Sequence, residues 1–334
     1  KFTENMAAEE GGAIQNRSTM NIRYYKILLI LSILFSSCVK TEDITDADAV
    51  CLRADVTSLA MTRSADDFAY TGTSAAGMEA EVWFSNESGI YPANGSQVAP
   101  TFIPYRAKVK YEDANPTTVY VNPESKTDAL SYPVNGEPVY CVGLYPAGKW
   151  TSPDGTKAIH PIDGRSDIMY ASQLSGTWQN PLPIQHYFHK LTWLKVEGRA
   201  TDPDAIDNWG KILSISIVNP CSNIEITLSD GAVNFTGEKK DLVALDTATG
   251  LSVTVQDMGS LICTPDTEYE MKIVTEKSTK TVSVTLKDES GKDLTAAGEA
   301  MGKLFIINLY FTPFNEINAS CVLIPWFEQE VELN

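Results

Sequence analysis

Histidine is scarce. The 334 residues carry three, His160, His186 and His189, which thins the supply of general bases and transition-metal ligands that work near neutral pH. Basic residues are outnumbered, with 26 Lys plus Arg against 43 Asp plus Glu and a net charge of −17. Such a surface repels phosphate backbones, so nucleic acid is not an expected partner. No GxSxG, P-loop, GxGxxG or HExxH is present, and no CxxC. The chemistry those spacings support is therefore not expected, and the reading is of a protein that is not an enzyme, with no cofactor and no metal. What is abundant is aromatic: 14 Tyr, 11 Phe and 6 Trp, set among many Thr and Val. That composition favours strands.

The apolar run Ile27–Phe35, ILLILSILF, spans nine residues. A bilayer-crossing helix needs about 20. The run follows Arg23 and Lys26 and precedes the small residues Ser36 and Ser37, which is the layout of a signal peptide. Leu34-Phe35-Ser36-Ser37-Cys38 resembles a bacterial lipobox, which implies cleavage before Cys38 and its lipidation. A non-lipidated secretory peptide with a chance cysteine is the alternative. Residues 1–19 read as an over-extended start, 20–37 as the lipoprotein signal peptide and 38–49 as an acidic linker. The acidic run after Cys38 also resembles the surface-export signal of Bacteroidetes lipoproteins. Beyond Cys38, the cysteines Cys51, Cys141, Cys221, Cys263 and Cys321 are odd in number and widely spaced. They form no legible disulfide or zinc framework, and buried thiols are expected.

The rest reads as strand after strand. Val50–Ala60 sets Leu52, Ala54 and Val56 against Arg53, Asp55 and Thr57. Further runs are Glu79–Phe84, Thr118–Val121, Val139–Tyr145, Ile184–Val196, Ile212–Val218, Asn223–Leu228, Leu251–Val255, Tyr269–Thr275, Lys280–Leu286, Leu304–Phe311 and Ala319–Ile324. Pro and Gly clusters punctuate them. Period-two alternation implies sheets with one buried face, hence sandwiches. Thr295–Met301 is the one short helical turn expected. The polar stretch Arg199–Asp207, RATDPDAID, suggests a boundary, with an N-terminal β-sandwich over 50–199 and a C-terminal one over 200–334.

Candidate sites are few. His186 and His189 form an HxxH, but on a strand i and i+3 face opposite sides, so the pair is not expected to bind metal. Asp202, Asp204 and Asp207 mimic a calcium loop, yet Ile206 and Leu213 occupy places that need oxygen ligands. A solvated linker is the expected reading. Trp83, Trp150, Trp178, Trp193, Trp209 and Trp326 could line a glycan platform or fill sandwich cores.

Several segments, in order, resemble the fimbrillin-like proteins of Bacteroidales. They are Val139-Tyr140-Cys141-Val142-Gly143-Leu144-Tyr145-Pro146, Asp167-Ile168-Met169-Tyr170-Ala171, Tyr187-Phe188-His189-Lys190-Leu191, and the closing strands Tyr269–Ile273 and Cys321–Trp326. The resemblance implies an all-β fold of two transthyretin-like β-sandwich domains in tandem. It also implies a structural or adhesive subunit of a type V pilus, carried as a lipoprotein to the outer-membrane surface. There a trypsin-like, Arg-specific protease would remove an N-terminal strand, and donor-strand exchange with other pilin subunits would refill the groove. The implied partners are those subunits, the outer membrane through lipid on Cys38, the protease and an adhesion receptor.

The residues permit this. Arg63, in Thr62-Arg63-Ser64, follows the alternating strand and precedes Ala65-Asp66-Asp67, so it is the expected cleavage site. Leu52, Ala54 and Val56 are expected to fill the acceptor groove. With Leu59 their burial contributes on the order of 5–8 kcal/mol as an upper bound. Val322, Leu323, Ile324 and Trp326, within Ala319–Leu333, are the donor-strand candidates. Asp246-Thr247-Ala248 resembles an O-glycosylation pattern of exported Bacteroidetes proteins, with Thr247 the acceptor. The alternative function is a surface-exposed glycan-binding lipoprotein using exposed Trp and Tyr.

Overall fold

The computed structural model describes residues 50–56, 77–92, 105–111, 117–120, 132–133 and 135–324. Their strands, in chain order, are β1 (Cys51–Val56), β2 (Glu79–Ser85), β3 (Tyr105–Lys110), β4 (Thr117–Tyr120), β5 (Val139–Tyr145), β6 (Lys157–Pro161), β7 (Met169–Gly176), β8 (Ile184–His189) and β9 (Thr192–Ala200). After helix α1 (Pro203–Trp209) come β10 (Ile212–Ile217), β11 (Cys221–Thr227), β12 (Val233–Lys239), β13 (Leu242–Leu245), β14 (Gln256–Cys263), β15 (Glu268–Thr275) and β16 (Thr279–Thr285). A single 3-10 turn, Ala297–Ala300, falls inside the expected Thr295–Met301, and β17 (Leu304–Phe311) and β18 (Ile317–Ile324) complete the fold. The fold is all-β, as the alternation and the aromatic content imply. Among the described residues no helix is long and apolar enough to cross a membrane.

Four sheets organise these strands. The first has seven strands in the order β3-β2-β5-β7-β8-β1-β4. Successive side chains of a strand point to opposite faces, and here one face is buried and the other is covered over β2, β5 and the start of β7. On one face Leu52, Ala80, Val82, Phe84, Ala107, Val109, Val139, Cys141, Met169, Ala171 and Tyr187 enclose a core. The sheet curls around that core, because Tyr111, just after β3, reaches the inward face of β8 and touches Gln185 and Tyr187. On the other face Trp83, Val142, Leu144 and Tyr170 pack into a second core shared with Ala158 of β6 and Ile224 and Ile226 of β11. That cover is a three-stranded sheet, β12-β11-β6.

The remaining strands make a sandwich. One layer is β13-β10-β15-β16 and the other β14-β9-β17-β18. β13 lies against β14 and β16 against β18 at the two borders. Ile215, Met271 and Ile273 of one layer and Leu194, Val196, Phe305 and Leu309 of the other belong to the same core.

Two expectations need correction here. The run Ile184–Val196 is not one strand. It breaks at Lys190-Leu191, where the Lys190 amide donates to Ile168 O at 2.8 Å and the Gly302 amide to Leu191 O at 2.9 Å. β8 stays in the seven-stranded sheet, while β9 pairs with β14 and β17. The seven-stranded sheet therefore ends its run of strands at this break, and β9 opens a different sheet. The polar stretch taken for a linker is instead a capped helix. Asp202 accepts from the Ala205 amide at 2.9 Å, Pro203 occupies the first turn, and Ala205 and Trp209 are buried. An N-cap acid followed by Pro is a helix-start signal. It also engages the carboxylate that the calcium-loop pattern would have used.

Leu251–Val255 also differs. Ser252 Oγ accepts from the Thr254 amide at 3.1 Å and bonds Thr254 Oγ1 at 2.9 Å. Local side-chain bonds of this kind compete with strand pairing. Val253 and Val255 are left exposed, and β14 begins only at Gln256.

Candidate functional site

The strand that sequence singles out, β1, is not at the edge of its sheet. It runs parallel to β8, with Arg53 opposite Ile184, Ala54 opposite Gln185, Asp55 opposite His186 and Val56 opposite Tyr187. On its other side it runs antiparallel to β4, with Cys51 opposite Tyr120, Leu52 opposite Val119, Arg53 opposite Thr118 and Ala54 opposite Thr117. Val50 and Leu52 are 1% and 0% exposed. In register, positions 54 and 56 stand opposite Gln185 and Tyr187 of β8, both buried.

The floor beside this slot is a short polar chain in an apolar core. Tyr111 Oη donates to Gln185 Oε1 at 2.8 Å and lies 3.2 Å from Tyr187 Oη. Tyr111 has one hydroxyl proton, so Tyr187 must donate to Tyr111. Gln185 Nε2 in turn donates to Cys141 Sγ at 3.6 Å. Burial pushes the Tyr111 and Tyr187 hydroxyls up and the Cys141 thiol up to about 12. All are held in their neutral forms, as partnered donors and acceptors rather than as nucleophiles.

Three of the segments that carry the family resemblance meet next to this slot. The first is β5, the second enters β7 and the third ends β8, and the three strands are neighbours. Their small and aromatic residues fit one another. A Cβ at Gly143 would stand 2.3 Å from Tyr187 Oη, so only glycine leaves room for that ring. Tyr170 Oη donates to Leu228 O at 2.9 Å, tying β7 to the covering sheet. Asp167 Oδ2 accepts from His189 Nδ1 at 2.6 Å, with both side chains buried.

The other sequence candidates fall in different places. His186 is exposed and His189 buried, on opposite faces of β8. Among the described residues no group of three or more His, Cys, Asp or Glu side chains could hold a metal ion. His160, in β6, is fully buried, and burial, its largest influence, lowers its pKa. Trp83, Trp150, Trp193 and Trp209 are core residues, and only Trp178, at 44% exposure, faces solvent among the described tryptophans. Cys141, Cys263 and Cys321 are buried free thiols, and Cys221 is half-buried.

The donor candidates Val322, Leu323 and Ile324 lie in β18, an edge strand paired along its whole length with β17. Thr247 sits in an exposed turn, its hydroxyl donating to Asp246 Oδ1 at 3.3 Å. Cys38, Arg63 and Trp326 lie outside the described residues, as do the side chains of Ala54 and Val56. The polar chain Tyr187–Tyr111–Gln185–Cys141 was missed in the sequence, because its members come from two strands, β8 and β5, and the residue after β3, with no common spacing.

No family model matches the sequence, and no curated protein does. Solved structures do. A candidate cell adhesion protein from Bacteroides uniformis aligns with 85% of this chain and 100% of its own, at 17% identity and a TM-score of 0.54. A second, from Bacteroides ovatus, aligns with 84% of this chain and 99% of its own, at 13% identity and a TM-score of 0.51. A fimbrial protein from Bacteroides vulgatus aligns with 83% of this chain at 10% identity and a TM-score of 0.46. On the first two of these, the chain shares its fold with cell-adhesion candidates of Bacteroides.

Proposed function

We propose that this chain is a structural or adhesive subunit of a cell-surface pilus, assembled when an Arg-specific protease frees β1 and a strand of another subunit takes its place. The observation that carries the reading is the position of β1. An interior strand that left would uncover two ladders at once, on β8 and on β4, together with the hole of Leu52. Unpaired ladders recruit any strand that can satisfy them, and alternate side chains fill the pockets. The segment joining β1 to β2 carries Arg63, so one cut there removes the covalent tether without touching either partner strand.

In this reading Val322, Leu323, Ile324 and Trp326 belong to the donor. β18 gives up only one ladder, that with β17, because it is an edge strand. Lipid on Cys38 holds the uncut subunit at the outer membrane, and more than one acyl chain is needed for stable anchoring. Thr247, on an exposed turn, is open to glycosylation. The glycan-binding alternative has weaker support, because four of its six tryptophans are core residues.

The test is controlled digestion of the full chain with an Arg-specific protease, followed on denaturant-free gels and by light scattering. Wild type is expected to form ladders after the cut and Arg63→Ala to stay monomeric. Confirmed cleavage at Arg63 with no polymer, alone or with other pilin subunits, overturns strand exchange. Acyl-probe labelling that survives Cys38→Ala overturns the lipid anchor.

A further inference from the structure

The described residues include four of the chain's seven arginines: Arg53, Arg106, Arg165 and Arg199. Three lie inside strands. Arg53 is paired on both sides, by Thr118 and Ile184. Arg199 is in β9, between β14 and β17. Arg106 is in β3, with its guanidinium 3.7 Å from the Trp83 ring centre and Nη2 donating to Tyr91 O at 2.9 Å. Arg165 is different: it is outside any strand, in the surface loop between β6 and β7, with its side chain 63% exposed. Of these four it is the arginine that a trypsin-like protease should take first, since exposed loops are preferred sites of nicking.

Arg165 Nη2 stands 4.0 Å from Asp246 Oδ2, but the backbone around the bond after it is bound by one carboxylate. Asp163 Oδ1 accepts from the Arg165 amide at 2.9 Å and the Ser166 amide at 2.7 Å, and Oδ2 accepts from Ser166 Oγ at 2.8 Å. The Ser166 amide is the nitrogen of the Arg165–Ser166 bond itself, and the Arg165 amide lies one residue before it. Lys149 Nζ stands 3.7 Å from Oδ2. Burial pushes the Asp163 carboxyl up, but the bonds from Ser166 and Arg165 outweigh it and leave it below its usual range. Backbone bonds anchor the flanks: Ile162 N to Ser222 O at 2.7 Å, Ile262 N to Gly164 O at 2.9 Å and Lys190 N to Ile168 O at 2.8 Å. A protease needs its substrate extended, so hydrolysis here must wait for the loop to open.

We propose that the Asp163 carboxylate is a protective clamp that denies the Arg165–Ser166 bond to Arg-specific proteases, so that a cut at this arginine does not compete with the activating one. The proposal deepens the pilus reading and takes from it only that the chain meets such a protease. The reaction withheld is ordinary hydrolysis: one water is consumed, the Arg165–Ser166 C–N bond breaks, and a carboxyl and an amine result.

The test digests full-length wild type and Asp163→Ala with an Arg-specific protease and maps the cuts by mass, with a linear peptide spanning residues 161–168 as the susceptible control. Wild type is expected to stay intact at Arg165, and Asp163→Ala to be cut there about tenfold faster or more, since several hydrogen bonds are lost at once. Cuts at Arg106 and Arg199 in the variant would mark global unfolding. The deciding measurement is then amide hydrogen exchange of Arg165 and Ser166 in wild type, with slow exchange supporting the clamp and fast exchange refuting it. Cleavage of wild type at Arg165, or an equally resistant folded variant, overturns the proposal. The fate of Arg63 in the same digest reports separately on strand exchange, so either idea can fail while the other stands.

Discussion

Asp167 and His189 are 22 residues apart in sequence and are joined by a 2.6 Å contact between Oδ2 and Nδ1, with side-chain exposures of 1% and 4%. Asp167 leads into β7 and His189 closes β8, so the pair locks together the ends of two adjacent strands beside the slot of β1. Removing one partner strands the other in the interior, at a cost of roughly 3–5 kcal/mol. Asp167→Ala and His189→Ala should each destabilise by about that much, and the double variant by much less than the sum. His186→Ala, on the exposed face, should change stability by under about 0.5 kcal/mol. Denaturant unfolding of the four variants checks this cycle.

Gly143 answers to Tyr187. Any Cβ at position 143 meets Tyr187 Oη at 2.3 Å and Cζ at 2.5 Å. Overpacking of this kind typically costs about 1–3 kcal/mol, and here it also displaces a hydroxyl bonded to Tyr111. Gly143→Ala should lower the thermal midpoint, and Tyr187→Phe in that background should not restore it, because the ring carbon still clashes. A restored midpoint would show that only the hydroxyl matters.

His160 should make the fold acid-sensitive. Its Nδ1 is 2.7 Å from Pro161 O and its ring is 4.7 Å from that of Trp150. A carbonyl can only accept, so Nδ1 carries the proton in the neutral ring. Burial holds the folded pKa below the ordinary imidazole value of 6.5, with Lys149 adding to the effect. The stabilisation is complete above pH 6.5 and is lost as pH falls through the folded value, because the unfolded chain takes the proton first. His160→Phe should flatten the stability profile between pH 6.5 and 5 relative to wild type. Unchanged slopes would count against it.

The thiols should be inert. Burial pushes Cys141 and Cys263 up to about 12 and Cys321 up to about 11. Alkylation at pH 8, mapped residue by residue by mass, should spare these three in the native state and reach them after denaturation. The same shifts imply that stability falls as pH rises past about 9, where the unfolded thiols ionise and the folded ones do not. Rapid native alkylation of Cys141 would show that the core around Tyr111 and Gln185 opens readily.

Strands with one buried face were legible. Val139–Tyr145 and Leu304–Phe311 coincide with β5 and β17, because alternation and chain turns agree there. What failed was the reading of continuity. Ile184–Val196 shows an unbroken apolar pattern, and the change of sheet at Lys190-Leu191 depends on amides of Lys190 and Gly302 finding distant carbonyls. β12 was missed because its residues VNFTGEK have no fully buried face. β3 was missed despite clear alternation, Ala107 and Val109 buried against exposed Lys108 and Lys110. At the candidate site, the strand and its neighbours' motifs could be read, but not that β1 would be interior. Pairing partners are set by the fold, not by the strand's own pattern.

One short strand has a consequence for how the molecule comes apart. β6 is reached directly from β5 and leads on to β7, yet all five of its residues are registered against β11, more than sixty positions later. A strand lent across the molecule in this way couples the melting of the front of the chain to that of the back. Heated or pulled, the protein cannot shed its seven-stranded sheet while keeping its sandwich without first tearing this seam. A fragment ending near residue 200 would carry β6 with only its bridge to Thr151 to hold it and a bare hydrophobic wall of Trp83, Val142, Leu144 and Tyr170 where β11 had lain. Among the described residues, five thus tie the front of the fold to its back.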